Sequence, residues 1–366
     1  MNFQNKKTGD IIYEKKYIDW LRIICILYLL PFHTARIFDA NEANYIQGKS
    51  NAFCTTLINS SLWFMPLMFL LAGMSCYFSL KKRSNKDYLK ERFLRLFIPL
   101  IFGIIIFLPP EGYFAYKFHS SSTLSFIAYL RKFFLVFSDL TGYHGSFTPG
   151  ALWFILYLFI ISLITLPIMK KLSTHNIRLF KAPFKILLIC IPITVASALP
   201  SITGKNIFVY GIYVILGFLM ASDDSILGIL ENHKNFYLIC SIAGYIIIFI
   251  EINSIGWQQG FSLLGIIFSL IYYFTIWASL LTFIGYGKRY LNFEPSFLSY
   301  LSHASFTIYI VHQTYIVIFA YFILKLTKTF IFQYIVIISL ALTSSLITYE
   351  VLKRFKVFRF MFGIKS

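Results

Sequence analysis

The sequence predicts an all-α, polytopic integral membrane protein with about ten transmembrane helices and both termini in the cytoplasm. Hydrophobic residues make up 58% of the 366 residues and charged residues only 13%, whereas a soluble chain carries about 25% charged residues. Apolar runs of membrane-spanning length recur along the whole chain. Basic residues alternate in density from one loop to the next. Together these three observations leave no room for a soluble catalytic domain.

Ten apolar runs are candidate transmembrane helices. They lie at 18–38, 57–80, 95–110, 150–169, 184–200, 206–221, 236–252, 262–284, 303–324 and 330–352. Three prolines, Pro99, Pro109 and Pro110, shorten the third run, because proline lacks the N–H group that a helix interior requires.

The ten runs divide the chain into three parts. We expect a cytoplasmic N-terminal segment at 1–17, a transmembrane domain at 18–352 and a cytoplasmic basic tail at 353–366. The first apolar run follows a polar segment and has no small-residue cleavage site behind it, so it is predicted to be an uncleaved span and not a signal peptide.

The distribution of lysine and arginine predicts the orientation. With the N-terminus inside, the predicted cytoplasmic segments hold 24 of the 33 Lys and Arg residues, the outer segments hold eight, and Arg22 lies within a span. This excess follows the positive-inside rule. The net charge of +18 is therefore expected to face the cytoplasm and the anionic surface of the lipid bilayer, and it does not indicate a nucleic-acid partner.

The five cysteines are scattered along the chain and form no CxxC pair. They are Cys25, Cys54, Cys76, Cys190 and Cys240. This spacing predicts neither a disulfide framework nor a metal site.

Arg22 and His33 lie eleven residues apart on the first predicted span. At about 100° and 1.5 Å per residue, the two side chains share one helix face and lie roughly 16 Å apart along the axis. Ionisable residues inside a bilayer are costly and are therefore functional candidates, and histidine is the usual general base near neutral pH. The alternative is that His33 satisfies a hydrogen bond between helices, and spacing alone leaves both interpretations open.

Arg92 and Arg95 end the basic loop before the third span and are three residues apart, so they are expected to share a helix face. Two guanidinium groups in this arrangement could bind a phosphate. The alternative is that the two arginines only set the membrane topology, because basic residues before a span are what the topology requires.

Several other residues are candidates for supporting roles. Tyr309 and His312 are expected on one face of the ninth span, either as a structural pair or near the chemistry. Trp153 begins the fourth span, where aromatic residues often anchor a helix at the interface. Asp19, three residues before Arg22, could orient that guanidinium, and Glu350 could pair with a base at the cytoplasmic face. Glu111, Asp139 and His144 are on the predicted outer side and are candidates for contacts to an acceptor.

These motifs together resemble the membrane-bound acyltransferase-3 family. Arg22-x10-His33 resembles the signature of its first span, and Arg92-x-x-Arg95 is similar to its second motif. The leading Tyr17-Ile-Asp-Trp-Leu-Arg22, the segment after His33, and Leu152-Trp153-Phe154 resemble the branch that includes glucan succinyl-transfer proteins. The resemblance covers the whole chain, because the domain of that family is about ten helices long.

The resemblance implies transfer of an acyl group to a hydroxyl of an extracytoplasmic carbohydrate or glycolipid, in a bacterial-type inner membrane. The donor is expected to be acyl-CoA, either acetyl-CoA or succinyl-CoA, without a metal. Arg22, Arg92 and Arg95 would bind the donor, and His33 with Arg22 would form the catalytic pair. Members of the family often carry an additional extracytoplasmic domain, and this sequence shows none beside its tail at 353–366. We therefore expect that either the transmembrane domain completes the transfer alone or a separate extracytoplasmic partner protein does.

A transporter or flippase for a lipid-linked sugar or a small anion is the alternative from another functional class. Many spans and few buried charges fit both classes. The chain shows no matched pair of Gly- or Pro-interrupted spans in two halves, which would indicate inverted repeats. A purely structural scaffold would not explain why Arg22 and His33 share one buried face.

Overall fold

The structure is a computed structural model, and it describes residues 3–120, 123–137, 141–174, 182–256, 258 and 260–364. Secondary structure in these ranges is helical and contains no β-strand, which confirms the all-α prediction. The α-helices are α1 Phe3–Ile37, α2 Ala52–Asn59, α3 Phe64–Leu80, α4 Asn85–Arg92, α5 Ile98–Ile106, α6 Leu108–His119, α7 Phe126–Leu135, α8 Trp153–Thr174, α9 Pro183–Leu187, α10 Cys190–Ser197, α11 Ile207–Ser222, α12 Asp224–Asn232, α13 Lys234–Ser254, α14 Leu263–Tyr290, α15 Ser296–Leu326, α16 Phe330–Leu352 and α17 Lys356–Met361. A π-helical turn, Phe93–Phe97, joins α4 to α5, and a 3₁₀ turn, Gly150–Leu152, precedes α8.

Eight segments in the described part of the chain are long and apolar enough to cross a membrane. They are Lys16–Ile37, Ala52–Leu80, Asn85–His119, Gly150–Ser173, Lys234–Ser254, Leu263–Tyr290, Ser296–Leu326 and Phe330–Leu352. A ninth arises if α11 and α12, which meet at a bend of 97°, count as one broken span. These segments support a multi-pass membrane protein, while the count of ten and the cytoplasmic position of both termini stay predictions.

Two of the ten predicted runs are not single long helices in the structure. The run predicted at 184–200 consists of α9 and α10, an apolar pair over Pro183–Ser197. The run predicted at 206–221 is α11, which has 16 residues and ends where Asp223 caps α12 by accepting a hydrogen bond from the Ser225 N–H group. The side chain of a residue that begins a new helix therefore ends the preceding one.

The chain forms two compact units, and the first consists of Met1–Cys25, Leu62–Tyr88 and Ile161–Pro295. Within it, α3 and α11 approach closely at two glycines. A Cβ atom added to Gly73 would collide with the backbone of Val214, and one added to Gly217 would collide with the backbone of Leu70. Close approach of helix backbones at small residues is a usual mode of packing in membranes.

The second unit consists of Ile26–Ser61, Leu89–Ile160 and Ser296–Ser366. Its core is apolar and includes Leu30 of α1 and Ile316 of α15, both almost completely buried. Hydroxyl groups form hydrogen bonds between helices within this unit. The Tyr334 hydroxyl donates to the Pro31 carbonyl at 3.0 Å, and the hydroxyls of Tyr315 and Thr348 lie 2.6 Å apart. Polar groups in a membrane protein need such internal partners, because the bilayer core supplies no water.

We predict that Gly217→Ala lowers the free energy of unfolding by about 1–3 kcal/mol, because the added methyl group forces α3 and α11 apart. Gly211→Ala is the matched control, since it lies on the same helix and its added methyl group meets no atom within 4 Å. The measurement is thermal unfolding of the two purified variants in the same detergent. Equal melting temperatures would show that the close approach of α3 and α11 contributes little to stability.

Candidate active site

His33 and His312 form the centre of a candidate site inside the second unit. His33 lies near the end of α1 and is half-buried, and its ring centroid is 5.2 Å from that of His312 on α15, with 49° between the ring planes. The sequence placed these histidines on the first and ninth predicted spans as separate candidates. The structure brings them into ring contact.

His312 is completely buried, and its own helix fixes its orientation. Its Nδ1 lies 2.7 Å from the Tyr309 carbonyl oxygen. Because a carbonyl oxygen only accepts hydrogen bonds, Nδ1 carries the proton in this contact and Nε2 of the neutral ring is an acceptor. Nε2 is buried and has no hydrogen-bond partner among the described residues.

Tyr309 connects His312 to the start of α8. Its hydroxyl donates to the carbonyl of Ala151, and its ring packs against that of Phe154, with centroids 5.7 Å apart. The turn begins at Gly150, whose φ of +50° favours glycine. Trp153 follows directly and packs edge-on against Tyr157 at 5.4 Å. The predicted supporting residues Tyr309, His312 and Trp153 are therefore linked through one short segment.

Glu111 is a second buried polar group in this unit, with only 1% of its surface exposed. It lies in the first turn of α6, just after the break between α5 and α6. Thr314 on α15 lies within hydrogen-bond distance of both sides of the break, 3.0 Å from the Phe107 carbonyl and 3.3 Å from Glu111 Oε2. The sequence identified Glu111 only by its expected side of the membrane, and its burial beside Thr314 is a structural finding.

Tyr45 lies beside Glu111 in the loop that follows α1. Its hydroxyl donates to the Thr141 carbonyl at 3.1 Å. Burial, and then the neighbouring Glu111 carboxyl, raise the pKa of Tyr45 well above its usual value. Tyr45 is therefore a neutral hydrogen-bonding group at any physiological pH.

The loop that follows α1 in the second unit is held by Arg36, a cation that the sequence analysis did not single out. Arg36 donates to Glu42 at 2.5 Å and to Asp39 at 3.4 Å. The predicted acceptor-side residue His144 stacks edge-on against His119, with ring centroids 4.6 Å apart. Asp139, the remaining acceptor-side candidate, lies outside the described residues.

Arg22 lies in the first unit, and its guanidinium is held at two points. Its Nη1 donates to Asp19 Oδ1 at 2.8 Å, and its Nη2 donates to Ser75 Oγ at 2.8 Å. The expected contact with Asp19 is therefore present, and Ser75 on α3 is an additional partner. Arg22 keeps 31% of its side chain exposed, so the group is oriented and still accessible.

Arg92 is the last residue of α4, and Arg95 lies within the π-helical turn. A π turn contains more residues than an α turn, so Arg92 and Arg95 are rotated further apart than α-helical spacing gives. The same geometry brings Glu91 into line with Arg95, and the two side chains form an ion pair at 3.1 Å. The sequence analysis missed Glu91, although a spacing of four residues between opposite charges was a usable signal. Arg95 remains 43% exposed.

Glu350 pairs with Lys353 at 2.6 Å, as expected for a base near the end of the last span, and accepts a hydrogen bond from the Tyr300 hydroxyl at 3.0 Å. Over the part of the chain that the structure describes, no group of three or more His, Cys, Asp or Glu side chains could hold a metal ion. The side chains that come together in the second unit are His33, His312 and Tyr309, and imidazole groups suit proton transfer.

A comparison with models of protein families matches residues 15–350 to the acyltransferase domain of the acyltransferase-3 family. The chain belongs to the acyltransferase-3 family. No curated protein and no solved structure gave a match. The family match covers the candidate histidines and arginines in both units, and it makes this acyltransferase-3 protein an enzyme that transfers acyl groups.

Membership of the acyltransferase-3 family decides between the two functional classes that the sequence left open. An acyltransferase is supported, and the transporter or flippase alternative gains no support from the family match. The eight candidate spans agree with a membrane-embedded enzyme.

We predict that Tyr309→Phe destabilises this acyltransferase-3 protein by about 1–3 kcal/mol, because it removes the donor to the Ala151 carbonyl inside the core. Tyr290→Phe is the matched control, because Tyr290 is 59% exposed. Thermal unfolding in detergent measures both. If both variants melted together with the wild type, the Tyr309 hydroxyl would not hold the start of α8.

Proposed function

We propose that this enzyme transfers an acetyl or succinyl group from cytoplasmic acyl-CoA to a hydroxyl of an extracytoplasmic carbohydrate or glycolipid. The observation that supports the proposal most directly is the position of His33 on a membrane span, in ring contact with the buried His312. A half-buried imidazole in an apolar protein is costly to retain unless it has a function.

In the proposed reaction His33 acts as the general base. It removes the proton of the acceptor hydroxyl as that oxygen attacks the thioester carbonyl carbon of acyl-CoA. The carbon–sulfur bond then breaks, the acyl group stays on the acceptor oxygen, and His33 returns the proton to the departing thiolate to give free CoA. A positioned general base contributes about 10²–10⁴-fold to such a step.

The donor phosphates are proposed to contact Arg92 and Arg95, and Arg22 keeps the donor-binding role that the family resemblance implies. Guanidinium groups suit this role because their planar set of donors matches phosphate geometry. Asp19 and Ser75 orient Arg22, and Glu91 orients Arg95. Each partner fixes a guanidinium while leaving part of it accessible.

The finer parts of the proposal rest on the resemblance of motifs. We place the protein in the branch that includes glucan succinyl-transfer proteins, in a bacterial-type inner membrane, with the lipid bilayer as its surroundings and no nucleic-acid partner. Glu111, Asp139 and His144 are the proposed contacts to the acceptor. A separate extracytoplasmic partner protein is proposed to serve acceptors that the transmembrane domain does not reach.

We predict that His33→Ala reduces acyl transfer by at least about 10²-fold, because the general base is lost. The purified protein in lipid nanodiscs is given acetyl-CoA and succinyl-CoA in turn with a glycan extract, and release of free CoA is measured with a thiol reagent. The matched control is His303→Ala, which removes an exposed histidine of the same chain.

Release of CoA that depends on the glycan and on His33, and not on His303, would support the proposed reaction, and the preferred donor would identify the acyl group. Wild-type release by His33→Ala would overturn the catalytic assignment. Failure of folded wild-type protein to release CoA from either donor would overturn the donor assignment.

We predict that Arg92→Gln and Arg95→Gln each raise KM for acyl-CoA about tenfold, because each removes one charge-assisted contact to phosphate. The matched control is Lys82→Gln, which removes an exposed charge from the same loop. Acyl-pantetheine, which carries no phosphate, serves as a second donor. If these arginines bind phosphate, the variants and the wild type will use acyl-pantetheine with equal KM; an equal loss with both donors would contradict the assignment.

A further inference from the structure

We infer that His312 is the positioning residue of His33. Its Nε2 accepts a hydrogen bond from one ring nitrogen of His33, so that the other ring nitrogen of His33 stays unprotonated and serves as the base. The inference rests on the proposed function and deepens it, since it assigns the group that selects the reactive form of the histidine.

The protonation state of His312 follows from its surroundings. Nδ1 is held 2.7 Å from the Tyr309 carbonyl oxygen, which only accepts hydrogen bonds. A neutral imidazole has one N–H group, and that group is used here, so Nε2 carries a lone pair. A charged ring would need a second acceptor, and Nε2 is buried without one among the described residues.

The requirement for a donor follows from the burial of His312. Its exposure is 0%, and a buried acceptor without a partner costs about 1–3 kcal/mol. The ring of His33 is the aromatic neighbour on α1, with centroids 5.2 Å apart. Imidazole nitrogens of two rings at this separation reach hydrogen-bond distance after a small rotation, and catalytic hydrogen bonds commonly tighten only when substrate binds.

The support for His312 is rigid, as a positioning residue requires. The Tyr309 carbonyl fixes one edge of the ring, and the Tyr309 hydroxyl is itself bound to Ala151. The Tyr309 and His312 rings are also in contact, with centroids 5.9 Å apart. His312 therefore has little freedom to turn its lone pair elsewhere, and His33 on the half-buried side is the ring that adjusts.

The first test separates catalysis from binding. We expect His312→Phe, which keeps an aromatic ring but has no acceptor, to lower kcat about 10–100-fold while KM for acyl-CoA stays within twofold, as for other residues that orient a reactive group. His312→Gln, whose side-chain oxygen can accept the same hydrogen bond, should recover at least about tenfold of the loss. Ile316→Val is the matched control, because it changes packing one turn along the same buried face.

Equal losses in His312→Phe and His312→Gln, or an equal loss in Ile316→Val, would show a packing role and overturn the inference. Melting temperature and elution volume in detergent identify any variant that fails to fold. Such a variant is left out, and the second test is applied to the His312 variant that folds.

The second test does not depend on activity. The protein is labelled with isotopic nitrogen in its seven histidines, and nitrogen chemical shifts identify each ring nitrogen as protonated or unprotonated. In the wild type we expect a single tautomer of His33, in which one particular ring nitrogen is protonated and the other is unprotonated. In His312→Phe we expect a mixture of the two tautomers. Unchanged His33 resonances in that variant would overturn the inference.

The two tests distinguish failure of the inference from failure of the proposed function. If His33→Ala were inactive and His312→Phe were fully active, the proposed acyl transfer would still stand and only the role of His312 would be contradicted. Absence of acyl transfer in the wild type would remove the proposed function, and the nitrogen shifts would still decide whether the two rings are coupled.

Discussion

The bilayer core supplies no water, so each irregular stretch of backbone in this protein needs a hydrogen-bond donor from a neighbouring helix. Helix α15 supplies two of these donors in the second unit. Its Tyr309 hydroxyl donates to the carbonyl of Ala151 within the 3₁₀ turn before α8, and its Thr314 hydroxyl donates to the carbonyl of Phe107 at the break between α5 and α6. Helix α15 thus satisfies both irregular segments, which adjoin the candidate residues Trp153 at the start of α8 and Glu111 in the first turn of α6.

The two units differ in the polar side chains that they bury, and the difference bears on function. In the first unit, Gly73 and Gly217 let α3 and α11 approach until backbones touch, and Ser241 pairs with Ser279 at 2.7 Å between α13 and α14. In the second unit, the buried side chains also include the ionisable groups of Asp39, Glu111 and His312. Buried ionisable groups are costly unless they are paired or needed, which supports our proposal that the acyl group is transferred in the second unit.

Sequence reasoning succeeded where the interacting residues are close in the chain. Asp19 with Arg22 and Glu350 with Lys353 are three residues apart, and helix geometry alone makes them neighbours. The same spacing rule predicts the pairing of Glu91 with Arg95, and the π turn brings these two side chains further into line. The contact between His33 and His312 joins two helices far apart in the chain, and no periodic pattern reports which face of one span meets which face of another.

The helix count shows a second limit of sequence patterns. Hydropathy does not show whether an apolar run forms one long helix or two short ones, as at Pro183–Ser197. It also does not show where a side chain will start a new helix, as Asp223 does between α11 and α12. The start of α12 depends on a local hydrogen bond from the Ser225 N–H group to Asp223, which a hydropathy pattern does not register.

A histidine partner for His33 is physically suited to a membrane in a way that a carboxylate is not. A carboxylate would be a permanent buried charge, with a desolvation cost of several kcal/mol that Coulomb attraction repays only while His33 is protonated. The neutral Nε2 of His312 is a strong acceptor in both states of the reaction and adds no charge of its own. In the proposed reaction, the pair carries one positive charge only between removal of the hydroxyl proton and its return to the thiolate, so charge separation is confined to the step that needs it.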